Sequence, residues 1–334
     1  YGDKFPSSFG GQFVGILMMF AGITIFGAIS GRVASFLVDR QMKKQRGMIK
    51  LQKLSGHFII CGWKNEFTNI LDEILIVNKE IPNDMIVLIN DVPIEQMEAI
   101  MNNEKYRGIN YIRGDFLEES VLRRANVSKA HKVLILADSS HNYSPQEADS
   151  RTVMAVITIE SISKNVYVCA ELLDAKFERY LKIAHCDEII LTREYSRTLL
   201  ANASAATGMS HIITELISAF SSRKGLCVED IPSEFIDDTF EALSMYYLDR
   251  DGSILIGVLE NTGNFFVRKR EALKEAQKTP DISKLVENLK FVKTLSANNP
   301  VINPGGDYII RKYSKSIIIE GISKREREGI LIAE

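Results

Sequence analysis

The chain has 334 residues, with 41 Lys and Arg against 43 Asp and Glu, a formal net charge of -2. Its 46% hydrophobic and 25% charged residues are globular values that exclude a disordered or collagen-like chain, and the balanced charge argues against a nucleic-acid binder. Cys61, Cys169, Cys186 and Cys227 lack C-x-x-C spacing, which points to free thiols in a reducing compartment rather than a disulfide framework or zinc knuckle.

No charged residue or histidine occurs between Lys4 and Arg32, and Phe13 to Ile29 is almost wholly apolar. At ~1.5 Å rise per residue, a helix from about Gly10 to Val38 crosses a hydrocarbon layer of ~30 Å, so the segment is expected to span a membrane. A secretory signal would carry its positive charges before the apolar run, and here they come after it. Residues 32–54 hold Arg32, Arg40, Lys43, Lys44, Arg46, Lys50 and Lys53 against Asp39 alone. The positive-inside rule therefore places the C-terminal side of the helix in the cytoplasm, beneath the plasma (inner) membrane. Tyr1 in place of an initiating Met predicts an upstream membrane portion.

From His57 onward, apolar runs alternate with amphipathic stretches. Strands are expected at 57–62, 84–90, 109–113, 132–137, 166–170 and 188–191. Helices are expected at 67–79, 94–102, 118–125, 147–163 and 176–184. Short apolar strands without strict alternation predict a parallel sheet covered on both faces, hence a doubly wound, Rossmann-like α/β domain. Two more helices are expected over 196–206 and 210–222, broken at Thr207-Gly208. Beyond Lys224 a small α+β lobe is expected. Strands at 243–248 and 253–260 would flank a turn at Asp249-Arg250-Asp251-Gly252. Asn261-Thr262-Gly263-Asn264 would turn into a strand at 265–268. Helices at 271–278 and 282–290, then strands at 308–312 and 316–320, complete the lobe. The expected divisions are 1–8, the membrane helix 9–38, a basic linker 39–56, the Rossmann-like lobe 57–195, crossover helices 196–224 and the C-terminal lobe 225–334.

Tyr1-Gly2-Asp3, then Pro6 and a Gly-punctuated apolar helix, resembles the end of a potassium-channel selectivity filter joined to the inner pore helix. The remainder resembles the RCK (regulator of K⁺ conductance) domain, through Cys61-Gly62-Trp63, Arg113-Gly114-Asp115, Ala170-Glu171 and the small C-terminal lobe. The resemblance implies a prokaryotic, ligand-gated potassium channel. It would be a homotetramer in a lipid bilayer, conducting K⁺ and carrying a cytoplasmic RCK gating ring worked by a small intracellular ligand. It assigns Tyr1, Gly2 and Asp3 to the filter, whose carbonyls replace the hydration shell of K⁺. Gly22 aligns with the inner-helix hinge; close helix packing explains it equally well. Gly27 and Gly31 fall in the gate region.

Two ligand classes remain open. The turn Gly62-Trp63-Lys64-Asn65 keeps one glycine of the dinucleotide fingerprint; Lys64 could neutralise a phosphate, and Asp91 stands where a ribose-binding acid belongs, which suits NAD or an adenine nucleotide. Alternatively, Asp115 after the third strand and Glu171 in the fifth emerge at the same sheet edge, and the resemblance makes both of them Ca²⁺ ligands. Where the family has a second carboxylate two residues on, this chain has Leu173, and the alternative without a ligand is that Asp115 and Glu171 cap helices or pair with Arg113 or Arg151. Calcium is the favoured gating ligand.

Other motifs fail on spacing. Asp249, Asp251 and Glu260 match EF-hand positions 1, 3 and 12, but Gly252 falls at position 4, so a hairpin turn is expected. His185-Cys186-Asp187-Glu188 reads as a loop without metal. The five histidines form no H-E-x-x-H and there is no nucleophile motif, so no active site is expected. Two other function classes fit less well. A regulatory subunit of a potassium transporter is disfavoured by the attached membrane helix, and a membrane-anchored NAD-dependent oxidoreductase by the degraded glycine loop.

Overall fold

The computed structural model describes residues 6–217, 225–277 and 297–321. Tyr1, Gly2 and Asp3, and the helix expected at 282–290, lie outside the described residues. The chain divides into two units, Tyr1–Ile49 and Lys50–Glu334.

The first unit is one helix, α1 (Phe9–Gln45). Its apolar side chains, Phe20, Ile23 and Phe26 among them, are exposed along its length, and the helix is long and apolar enough to cross a membrane. It continues seven residues past Val38 into the stretch expected as linker, because Arg, Lys, Gln and Met are all good helix formers. Gly47, at φ 67°, ends it, with Met48 N–H bonded to Lys43 O at 2.9 Å. Gly22, Gly27 and Gly31 lie in uninterrupted helix, where an added methyl would meet nothing within 4 Å. Among the described residues, packing gives no reason for them.

The second unit begins with the Rossmann-like lobe. In chain order it contains β1 (Phe58–Cys61), α2 (Phe67–Val77), β2 (Ile86–Asn90), α3 (Ile94–Met101), β3 (Asn110–Arg113) and α4 (Glu119–Arg124). Then come β4 (Lys132–Ile135), α5 (Pro145–Ile162), β5 (Tyr167–Leu172), α6 (Glu178–Ile183) and β6 (Glu188–Leu191). All six strands are parallel, in the order β3-β2-β1-β4-β5-β6. Alternate strand residues feed two cores. Ile59, Cys61, Val87, Ile89, Val133 and Ile135 pack under α4, α5 and α6, while Phe58, Ile60, Ile86 and Leu88 pack under α2 and α3. Burial on both faces is why these strands read as continuous apolar runs. Each fully buried Ile or Leu contributes about 1.5–3 kcal/mol.

The crossover helices α7 (Thr192–Ala205) and α8 (Met209–Ile217) come next, separated by Gly208 at φ 83°. The C-terminal lobe contains β7 (Leu226–Asp230), α9 (Phe240–Asp251), β8 (Ile254–Glu260), α10 (Phe265–Ala276), β9 (Asn299–Ile302) and β10 (Lys315–Ile319). Its strands form an antiparallel sheet in the order β7-β10-β8-β9.

Three expectations for this lobe are corrected. Residues 243–248 are helical: Thr239 Oγ1 caps Ala242 N–H, Gly252 at φ 76° closes the far end, and Phe240, Leu243 and Tyr247 are buried on one helix face. Asp249 to Gly252 is thus a helix terminus rather than a hairpin turn. Residues 265–268 begin α10, because Asn264 Oδ1 accepts Val267 N–H at 3.1 Å as an N-cap. Residues 308–312 contribute an isolated bridge, Thr239 to Ile309, in place of a strand. β9, unanticipated, carries Pro300 on an edge strand, where a missing N–H costs no ladder bond.

Candidate functional site

In an open parallel sheet the strand order reverses at a crevice outside the carboxyl ends, here between β1 and β4. The chain enters this edge through Gly62, which holds φ 94°; a Cβ there would stand 3.0 Å from Leu136 O. Trp63 N–H then donates to Asp138 Oδ1 at 3.0 Å, and its ring stacks on Phe67 at 4.7 Å. Lys64 reaches over the crevice to Glu171, Nζ to Oε1 2.5 Å, while Ala137 N–H donates to Glu171 Oε2 at 2.9 Å. Asn65 is exposed in the same turn. Glu66, at φ 59°, precedes α2 without capping it by a side-chain bond.

Each of the strands β2, β3 and β4 is followed within three residues by an aspartate. Asp91 pairs with Arg113 Nε at 3.2 Å. Asp115 follows Gly114, where a Cβ would come within 2.7 Å of Val121 Cγ2, and it accepts Leu117 N–H at 2.9 Å. Asp138 is buried and accepts the Ser140 hydroxyl at 2.8 Å. The three face a cavity of about 110 Å³, together with Ser140, Tyr143 and Arg151. Arg151 Nη2 donates to Asp115 Oδ1 at 2.8 Å, and its Nε lies 4.0 Å from Asp138 Oδ2. Arg151 is aimed by the start of α5. Ser144 and Glu147 form a reciprocal capping box around Pro145, and buried Asp149 accepts Leu173 N–H and Asp174 N–H, both at 2.8 Å. Burial raises the Asp149 carboxyl above its ordinary range, and those two bonds pull the other way. Burial, with the charge of Asp138 adding to it, pushes the Cys61 thiol far up, so Cys61 supplies no thiolate here.

The two residues expected to share a cation are each paired with a cation of the protein's own. β2, β1 and β4 lie between β3 and β5, and each carboxylate is held by a different cation, Asp115 by Arg151 and Glu171 by Lys64. The carboxylate that joins Asp115 is Asp138. A rule already applied to Asp91 and Asp115, an acid just past a parallel strand, would have found it.

Two other clusters lie away from this crevice. At the opposite sheet edge a cavity of about 380 Å³ is lined by His185, Cys186, Asp187 and Phe265, with the His185 ring stacked on Phe265 at 4.7 Å. The Cys186 thiol there is pushed far up by burial. In the C-terminal lobe, Cys227, Glu229 and Glu320 can place ligand atoms within 4.8 Å of one another. Glu229 is held by Arg250 at 2.9 Å.

Residues 53–170 match the family described as the calcium-activated potassium channel slowpoke-like RCK domain. Over those residues the chain is similar to RCK domains. The chain is also similar to the calcium-gated potassium channel TvoK of Thermoplasma volcanium, 26% identical over 230 residues, which cover 69% of this chain and 62% of that protein. The putative potassium channel protein YugO of Bacillus subtilis is 24% identical over 264 residues, 79% of this chain and 76% of that one. The human SLO3 gating ring shares the fold, with TM-score 0.51 and 14% identity over 81% of this chain and 45% of its own. The curated relatives are ion channels, not enzymes.

Proposed function

We propose that the chain is the inner pore helix and gating domain of a potassium channel, opened by a divalent cation, Ca²⁺, at the cavity between Asp91, Asp115 and Asp138. The observation that carries this reading is the sequence of parts: a membrane-length helix, then an RCK domain whose sheet edge gathers three carboxylates. The donors are all oxygen, which suits a hard cation taking 6–8 oxygen ligands. A cavity of about 110 Å³ suits an ion better than a nucleotide, whose pockets run to several hundred Å³. The name of TvoK agrees. In this reading α1 crosses the plasma membrane with the RCK domain in the cytoplasm. Four chains surround one pore above a gating ring, Tyr1, Gly2 and Asp3 belong to the filter, and Gly22, Gly27 and Gly31 serve the hinge and gate. The cation opens the pore by binding the open state more tightly than the closed one.

Chain reconstituted with its upstream pore segment should pass K⁺ and Rb⁺ and exclude Na⁺. Opening should rise with Ca²⁺, and Asp138→Asn should shift that response at least several-fold at unchanged unitary conductance. Equal Na⁺ and K⁺ flux refutes the channel reading, and a Ca²⁺ response unmoved by Asp138→Asn refutes the site.

A nucleotide at the Gly62–Asn65 turn is the second reading, favoured by the uncapped start of α2 beside Lys64. NAD, ADP or ATP would have to draw Lys64 from Glu171. A nucleotide response lost in Lys64→Ala, with no Ca²⁺ response, would replace the first reading by this one.

A further inference from the structure

The cavity already holds a cation of the protein's own. Arg151 is tethered there by one hydrogen bond, to Asp115 at 2.8 Å; among the described residues nothing accepts a hydrogen bond from its buried Nε. Its guanidinium also lies over the Tyr143 ring at 4.6 Å and the Phe116 ring at 5.4 Å. An aromatic face of this kind keeps a displaced guanidinium close at hand.

The charges around the cavity make a specific demand. Three carboxylates face two guanidinium groups, Arg113 on Asp91 and Arg151 on Asp115, which leaves one negative charge uncompensated. A divalent ion arriving while both arginines stay would overshoot to one positive charge in a site with Asp138 buried. A divalent ion that takes the place of Arg151 leaves the cluster neutral. A monovalent ion in the same exchange would restore only the original imbalance, and would lose the Asp115 hydrogen bond as well.

We infer that Arg151 is a resident competitor for the divalent cation, which enters this cavity by exchange with the guanidinium rather than by addition beside it. The inference rests on the cation reading above and supplies its regulation. Arg151 lowers the apparent affinity by the population in which it occupies the site, and it turns monovalent ions away.

The test is Ca²⁺ titration calorimetry on the detergent-solubilised full chain, with Trp63, its one tryptophan, as a fluorescent reporter bonded to Asp138. Arg151→Gln should bind Ca²⁺ about tenfold more tightly than wild type, and millimolar guanidinium should return its affinity toward the wild-type value. A merely structural role for Arg151 predicts no such rescue. If Arg151→Gln fails to fold, Arg151→Lys, which keeps the charge but not the planar fork, should also bind more tightly than wild type. Unchanged or weaker binding in these variants, with Asp138→Asn abolishing it, overturns the exchange and leaves the cation site standing. No Ca²⁺ binding by wild type or variant overturns both.

Discussion

The two edges of the parallel sheet differ in how many of their acids are paired with cations. At the carboxyl edge four carboxylates meet cations, Asp91 with Arg113, Asp115 and Asp138 with Arg151, and Glu171 with Lys64, while buried Asp149 takes backbone N–H donors. At the amino edge Asp187 is held by N–H donors instead. Val168 and Phe265 backbone N–H donate at 2.8 and 2.7 Å and the Asn264 side chain at 3.0 Å, which bonds the C-terminal lobe to the sheet. Glu160, 8% exposed, faces the same edge, and among the described residues neither of its oxygens has a hydrogen-bond partner. Paired charges can be exchanged for other charges, whereas desolvated acids hold protons. One edge is therefore rich in ion pairs, and the other bonds the two lobes together.

Removing the anchor should produce the largest effect. Asp187→Ala orphans three donors at once, at about 1–3 kcal/mol each, so a loss of about 4 kcal/mol is expected. Urea unfolding in detergent should lose its C-terminal-lobe transition first. An unshifted midpoint would mean that the amino edge is no junction.

The second effect depends on pH. Burial, then the charge of Asp187, raises the Glu160 carboxyl to about 8, with Lys164 opposing. Burial likewise raises Asp187 to about 6. Both native groups bind protons more tightly than the unfolded chain does. The stability they give is fully present below about pH 4, is lost as pH rises, and is gone above about pH 8. Glu160→Gln cannot ionise, so at pH 8 it should be about 2 kcal/mol more stable than wild type, with the advantage vanishing toward pH 5. Parallel pH profiles for the two proteins would refute the proton-holding description of this edge.

How far each region could be read from sequence depends on the same physics. The Rossmann strands were legible because burial on both faces forces unbroken apolar runs, and the sheet edge was legible because acids follow strands there. Spacing along the chain does not display that three strands lie between β3 and β5, or that Asp115 and Glu171 take different cations. Arg151 could be read as a pairing partner of Asp115 but not as the lining of a cavity. It sits on α5, far from any strand end, and is aimed by a capping box and by Asp149. In the C-terminal lobe the spacing of Phe240, Leu243 and Tyr247 was helical all along. Asp249 to Gly252 looked like a hairpin turn because helix ends and turns draw on the same residues.

The smallest effect belongs to the carboxyl edge and tests its half of the contrast. Asp91 and Arg113 are 46% and 35% exposed, so water already screens the pair and holding two side chains in register costs entropy that offsets the attraction. Arg113→Ala should therefore cost about 0.5 kcal/mol at low salt and nothing measurable at molar salt, where the Debye length falls to about 3 Å. The same substitution leaves the Asp91 charge unanswered beside the cavity. Ca²⁺ affinity should rise slightly in calorimetry at low salt while stability falls slightly. A stability loss as large as that of Asp187→Ala, or one indifferent to salt, would show that this edge is a rigid junction like the other and that its ions are not there to be exchanged.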